Sequence, residues 1–166
     1  LNADQALCGL NNTRQTFNRR VRELRGIRGA AAEWLPTVGD KLVCLKNNRT
    51  KGLLNGGLWE ATEVGEPVTV GNVPMRVKSL DEPHVAQVDV KVLREFFSGH
   101  EKGLDWRQRK SFDEFTYGYA LTVHKAQGSQ FDNVLVYDES SVFREHQARH
   151  RYTAVTRAAE TVTVVV

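Results

Sequence analysis

The stretch Tyr119-Ala120-Leu121-Thr122-Val123-His124-Lys125-Ala126-Gln127-Gly128-Ser129-Gln130-Phe131-Asp132 is the most informative in this chain. Tyr117 to Leu121 make an apolar lead-in, Thr122 to Gln127 read as a short helix, and Gly128 is placed to end it. A hydroxyl, an imidazole and an ammonium gathered where a strand meets a helix, beside backbone N–H groups that lack intrahelical acceptors, suit a phosphodiester oxygen. Gly128 permits close backbone approach, and Gln127, Ser129 and Gln130 add uncharged hydrogen-bonding groups beside it. His124 taken alone also reads as a packing histidine whose hydrogen bonds are met internally.

Downstream, Val134-Leu135-Val136-Tyr137 is a compact strand, Gln147 to Ala159 a helix and Thr161 to Val166 a closing β-branched strand. Arg157 falls on that helix, two turns beyond Arg149 and Arg151. A guanidinium is the side chain best suited to stabilise charge on a transferring phosphoryl group, and the plainer alternative is a surface ion pair. Asp138-Glu139 reads as a cap or loop acid rather than a magnesium-binding pair. His146 and His150 are four apart, but Gln147 stands where a HExxH motif needs glutamate, so no metal site is expected.

Upstream, Ala6 to Leu10 form a strand, and Asn11-Asn12 start a helix that turns Phe17, Val21 and Leu24 toward a core. That helix stops near Gly26, with Gly29 beyond it, and Pro36 closes the segment. From 38 to 97 the period changes. Leu42 to Leu45, Trp59 to Thr62, Val73 to Val77 and Val88-x-Val90-x-Val92 are short strands between Gly, Asn and Pro punctuation, which predicts a small barrel or a curled antiparallel sheet. Residues 98–114 read as a polar return connection with a helical turn. Strand-helix units at both ends around a β-rich middle predict an α/β domain over 1–37 and 115–166, interrupted by an inserted barrel over 38–97. Trp59 fits the barrel core, whereas Trp106 and Tyr117 are candidates for base stacking.

The 166 residues suffice for one domain with an insertion, and 40% hydrophobic with 26% charged residues excludes disorder. No apolar run is long enough to span a bilayer and no secretory signal opens the chain, so a soluble, cytoplasmic protein is expected. Cys8 and Cys44 have no metal-binding spacing and fit buried, reduced thiols. Residues 1–30 hold six arginines against Asp4 and Glu23, while the remainder of the chain carries net −1. A basic helix of this kind suits phosphates, yet its arginines spread too widely for a phosphate-tracking stripe, and a solvated face explains them as well.

The opening stretch, followed by Arg151-Tyr152-Thr153-Ala154-Val155-Thr156-Arg157-Ala158, resembles motifs V and VI of superfamily 1 helicases of the RecD-like and Dda-like branch. Leu7-Cys8-Gly9-Leu10-Asn11-Asn12-Thr13-Arg14 with Phe17-Asn18 is similar to the motif IV region. Gly39-Asp40-Lys41-Leu42-Val43-Cys44-Leu45-Lys46-Asn47-Asn48 and Gly52-Leu53-Leu54-Asn55-Gly56 resemble the opening of the SH3-like barrel inserted in the second RecA-like domain of that branch. The resemblance implies an α/β RecA-like fold of the P-loop NTPase type and contacts to single-stranded DNA from Thr122, Val123, His124 and Lys125. It also implies an ATP-side group of Gly128, Gln130 and Arg157, with Arg157 as arginine finger and Arg14 as a second arginine on the same phosphates. Roles in DNA repair and recombination, and 5′-to-3′ translocation, are typical of the branch.

A helicase motor also needs GxxxxGK followed by Ser or Thr to hold the phosphates, and no such sequence occurs here. The chain, which starts at Leu1, is therefore expected to be the C-terminal motor half of a longer protein. ATP and Mg2+ would be bound with a preceding RecA-like domain of the same polypeptide, and neither tightly by this part alone. Two rival expectations are a stand-alone, non-catalytic nucleic-acid-binding module with no requirement for Arg157, and a scaffold whose barrel binds a peptide rather than nucleic acid.

Overall fold

The computed structural model describes residues 3–27, 35–66, 71–82 and 84–166. In chain order the elements are β1 (Gln5–Cys8), α1 (Asn11–Leu24), β2 (Lys41–Cys44), β3 (Leu58–Val64), β4 (Asn72–Ser79), β5 (Val88–Leu93), α2 (Glu95–Ser98), α3 (Trp106–Lys110), β6 (Phe115–Tyr117), β7 (Ala120–Thr122), β8 (Phe131–Tyr137), α4 (Gln147–Val155) and β9 (Ala158–Val165). They form two compact units, one of Leu1–Val21 with Tyr119–Val166 and the other of Arg22–Gly118.

The first unit is a parallel sheet in the order β7-β1-β8-β9. Parallel strands covered on both faces need unbroken apolar runs, and Leu7, Cys8, Leu121, Val134 and Val136 are accordingly buried. Phe17 of α1 packs on the cluster of Ala6, Ala120 and Leu135. From β1 the chain passes to β7 on one side, whereas β8 passes to β9 on the other. The crevice outside the carboxyl ends of β1 and β8 is therefore a topological switch point, where open α/β sheets bind ligands.

Helix α1 departs from the sequence expectation. Its buried stripe is Arg14, Asn18 and Arg22, while Leu24 is 69% exposed and Val21 only half-buried. The reason is the edge of β7, whose backbone needs partners that an apolar side chain cannot supply. The Asn18 amide accepts from Ala120 N–H at 2.8 Å and donates to Ala120 C=O at 3.2 Å, substituting for a neighbouring strand. The helix ends as expected, with Gly26 at φ +78° and Ile27 N–H donating to Arg22 C=O at 3.0 Å. Gly29 lies outside the described residues.

The second unit is a five-stranded antiparallel sheet in the order β5-β4-β3-β2-β6. Val73, Met75 and Val77 alternate inward from β4 onto a core with Val90, Val92, Trp59 and Phe115. A register shift between Ala61 and Glu63 marks a bulge, which increases local twist. No closed barrel forms among the described residues: between β5 and the approach to β6 there is one bridge, Val92 to Asp113. Arg22 and Asp40 make a buried ion pair at 3.1 Å, and the Arg22 guanidinium lies 4.3 Å from the Tyr117 ring centroid.

The boundaries also differ from 38–97. Residues 98–114, expected as a connection with a helical turn, hold the short helix α3 and lead into β6, which pairs with β2 and so joins the second unit. The run Tyr117 to Leu121 is split between two sheets at Gly118, where a Cβ would meet the Leu42 backbone at 2.9 Å. Tyr117 is 6% exposed and so offers no face for stacking, whereas Trp106 is 65% exposed.

Candidate functional site

Thr122 ends β7, and the residues after it form consecutive turns rather than the expected short helix. Val123 N–H donates to Cys8 C=O, Lys125 N–H to Thr122 Oγ1, Ala126 N–H to Thr122 C=O, Gln127 N–H to His124 C=O and Ser129 N–H to Ala126 C=O. Those five donors are engaged internally, which leaves fewer free N–H groups than the cradle read from the sequence. The segment presents side chains instead. His124, Gln127 and Gln130 are exposed, Lys125 is half-buried, and Thr122 and Val123 are buried. Gly128 has φ +87°, a left-handed conformation that L side chains resist.

Arg157 stands in the turn between α4 and β9, not on the helix as expected. Its guanidinium donates to Thr153 C=O and Ser129 C=O, each at 3.2 Å, and to Thr156 Oγ1 at 3.3 Å. Its carbonyl accepts from Phe131 N–H at 2.9 Å. Arg157, Ser129, Gly128 and Gln130 therefore gather where β8 and β9 begin. Thr122, Val123, His124 and Lys125 gather where β7 ends, beside Cys8 in register. Because the strands are parallel, these groups occupy opposite edges of the sheet, and residues 123–130 run from one to the other.

Arg14 is 4% exposed in the first turn of α1, which leaves the carboxyl end of β1. It belongs to the edge of Thr122 and His124, so this unit does not bring it onto the phosphates expected for Arg157. Asp138 and Glu139 are structural, as read from the sequence. Asp138 accepts from Ser140 N–H and Arg151 Nε, each at 2.9 Å, which holds its carboxyl below the usual range, Ser140 contributing most. Glu139 accepts from Gly9 and Leu10 N–H, each at 2.9 Å, and from the Thr13 hydroxyl.

A cavity of about 280 Å³ is lined by Val123, His124, Gln127, Phe143, His146, Arg149, His150 and Thr153. Phe143 and His150 stack with ring centroids 4.1 Å apart and 17° between planes. Both His150 ring nitrogens are buried without a hydrogen-bond partner, and burial, then the nearby His124, pushes its pKa down. Sequence reasoning missed Phe143, because the 3-10 segment Ser140–His146 has no legible period and is kinked at Arg144, with φ 47°. Among the described residues no group of three His, Cys, Asp or Glu could hold a metal ion, and no helix is long and apolar enough to cross a membrane.

The first unit is an α/β fold on a parallel sheet, and in sequence the antiparallel sheet lies between its first helix and its remaining strands. Residues 117–165 match the family of the UvrD-like helicase C-terminal domain. The chain is 32% identical over 163 residues to the RecBCD enzyme subunit RecD of Mycobacterium tuberculosis, a match over 88% of this chain and 28% of that relative. Its fold is similar to Bacteroides Pif1 bound to ssDNA, with TM-score 0.61 and 15% identity over 96% of this chain and 39% of that one. It is also similar to Pif1 helicase from Candida albicans, with TM-score 0.59 and 17% identity over 98% of this chain and 45% of that one. The chain is thus similar to RecD and, over residues 117–165, to the C-terminal domain of UvrD-like helicases, its likeness to the Pif1 structures is one of fold, and it spans about 28% of the length of its RecD relative.

Proposed function

We propose that this chain is the C-terminal motor half of an ATP-dependent DNA helicase. The edge formed by Thr122, His124 and Lys125 meets the backbone of single-stranded DNA, and Arg157, at the opposite edge, reaches the γ-phosphate of ATP held by a preceding RecA-like domain. The observation that carries this reading is the path between them: residues 123–130 begin beside His124 and end at Ser129, whose carbonyl holds the Arg157 guanidinium. A change at the strand is thereby transmitted to the finger. The Arg157 guanidinium is held by three uncharged acceptors, and a phosphate oxygen would offer it a charge-assisted bond instead.

On this reading the Mg2+ that accompanies ATP is held with the phosphates by the preceding domain. The second unit, with five antiparallel strands and a bulged β3, serves as an SH3-like brace for the strand. The strand side of the reading is tested by His124→Ala in the full-length protein. DNA-stimulated ATP hydrolysis should require several-fold more oligonucleotide for half-maximal stimulation, while basal hydrolysis is kept. Unchanged stimulation and unwinding would remove His124 from the site.

A further inference from the structure

The cavity beside His124 has the chemistry of a ring-binding pocket. Its lining sets Val123 and the stacked Phe143–His150 pair among polar groups, His146 included. Gln127, Arg149 and Thr153 line it too, and they bring hydrogen-bonding groups able to meet the polar rim of a heteroaromatic ring. At about 280 Å³ it lies below the usual range for drug-sized ligands and suits one planar ring system rather than a whole nucleotide.

Its place in the fold is also that of a ligand site. The lining comes from the segment after β7, the segment after β8 and the start of α4, all at the carboxyl edge of the parallel sheet. Phe143 Cε2 lies 3.1 Å from where a Cβ on Gly9 would stand, so the aromatic wall reaches the end of β1 at the switch point itself. The backbone outlier Arg144, φ 47° and ψ −114°, is next to Phe143. Such conformations persist where the surroundings enforce them, and they cluster at ligand clamps and active sites.

We propose that this cavity takes one unstacked base of the bound single strand, with Phe143 forming the aromatic wall and His124 standing at the mouth against the adjoining phosphate. The proposal rests on the reading of the Thr122–Lys125 segment as strand-binding. It goes further by assigning a base contact, tolerant of sequence, to residues of the 3-10 segment and α4. A base is favoured over a second phosphate because the lining includes a stacked ring pair and a valine, and Arg149 is the one permanently charged cation among the lining residues.

The test uses the full-length protein and oligodeoxythymidylates no longer than its binding footprint, either intact or carrying one abasic residue at successive positions, with affinity read by fluorescence anisotropy. In the wild type, one abasic position should weaken binding at least about fivefold, the low end of what a stacked base contributes. Phe143→Leu should weaken binding of the intact strand by a similar factor and erase the penalty at that position, whereas Phe143→Tyr keeps both. Should Phe143→Leu lose its cooperative thermal transition, Gln127→Trp, on the exposed turn, narrows the mouth and should give the same loss. Equal loss on intact and abasic strands would assign the pocket to the backbone and overturn the proposal. Wild-type affinity in Phe143→Leu and Gln127→Trp, together with a loss in His124→Ala, would overturn the pocket alone. Wild-type affinity in all three would take the strand-binding reading with it.

Discussion

Glu139, at the end of β8, places its carboxylate on the first N–H groups around the start of α1, where unpaired donors and the helix dipole both favour an anion. Its hydrogen bonds to Gly9, Leu10 and Thr13 fix the segment that leads to Arg14. Glu139→Ala leaves those donors to water and should cost about 1–2 kcal/mol, as loss of a helix cap does; urea denaturation measures it, and a midpoint within error of wild type would contradict the capping role. His150 makes a pH prediction. Its pKa is depressed by burial first and by His124 second, so between that value and the ordinary value of about 6.5 the unfolded chain binds more protons than the folded one. Stability contributed by keeping His150 neutral is therefore lost as pH falls through that window. His124→Ala should raise the His150 pKa seen by NMR, and an unmoved titration would mean that the two rings do not interact. Burial also lifts the Cys8 thiol to about 12 and the Cys44 thiol to about 11, so both stay protonated at neutral pH. A thiol reagent should modify neither until the chain is unfolded.

At the scale of elements, α1 separates what a sequence shows from what it does not. Its limits were legible, because Asn11-Asn12 and Gly26 carry start and stop signals in their own chemistry. Its buried face was not, because apolar periodicity points Phe17, Val21 and Leu24 inward, whereas the facing surface is the open backbone edge of β7. Asn18→Ala would leave the Ala120 N–H and C=O without the side-chain partner they have in a buried site, at about 1–3 kcal/mol for each orphaned group. Amide hydrogen exchange at Ala120 should accelerate by a similar free energy, and unchanged protection would show that water or another group serves that edge. The Thr122–Gln127 segment misled in the opposite way. Its composition permits a helix, but Lys125 bonds to the Thr122 hydroxyl and Gln127 to the His124 carbonyl, which closes turns of unequal length instead. Ser140–His146 carried no period at all, and with it Phe143 stayed out of view.

For the whole molecule, the change from α/β pattern to short alternating strands and back was visible in the sequence, and it corresponds to the two units. The exact seams were hidden, since β6 belongs to the inserted sheet only through its pairing with β2, far away in sequence, and no local signal announces that partner. The motif residues were legible individually, but their division between opposite edges of one parallel sheet follows from strand direction and not from spacing. That division is the centre of the proposed function, in which the strand is gripped at one edge, phosphate charge is stabilised at the other, and residues 123–130 connect them. The measurement that tests it most directly is Arg157→Ala in the full-length protein, with ATP turnover and single-strand affinity determined side by side. The account predicts that turnover falls by about 10³ or more, the scale of an arginine finger, while affinity for the strand stays within a few-fold of wild type. Retained turnover, or an equal loss of both activities, would contradict it.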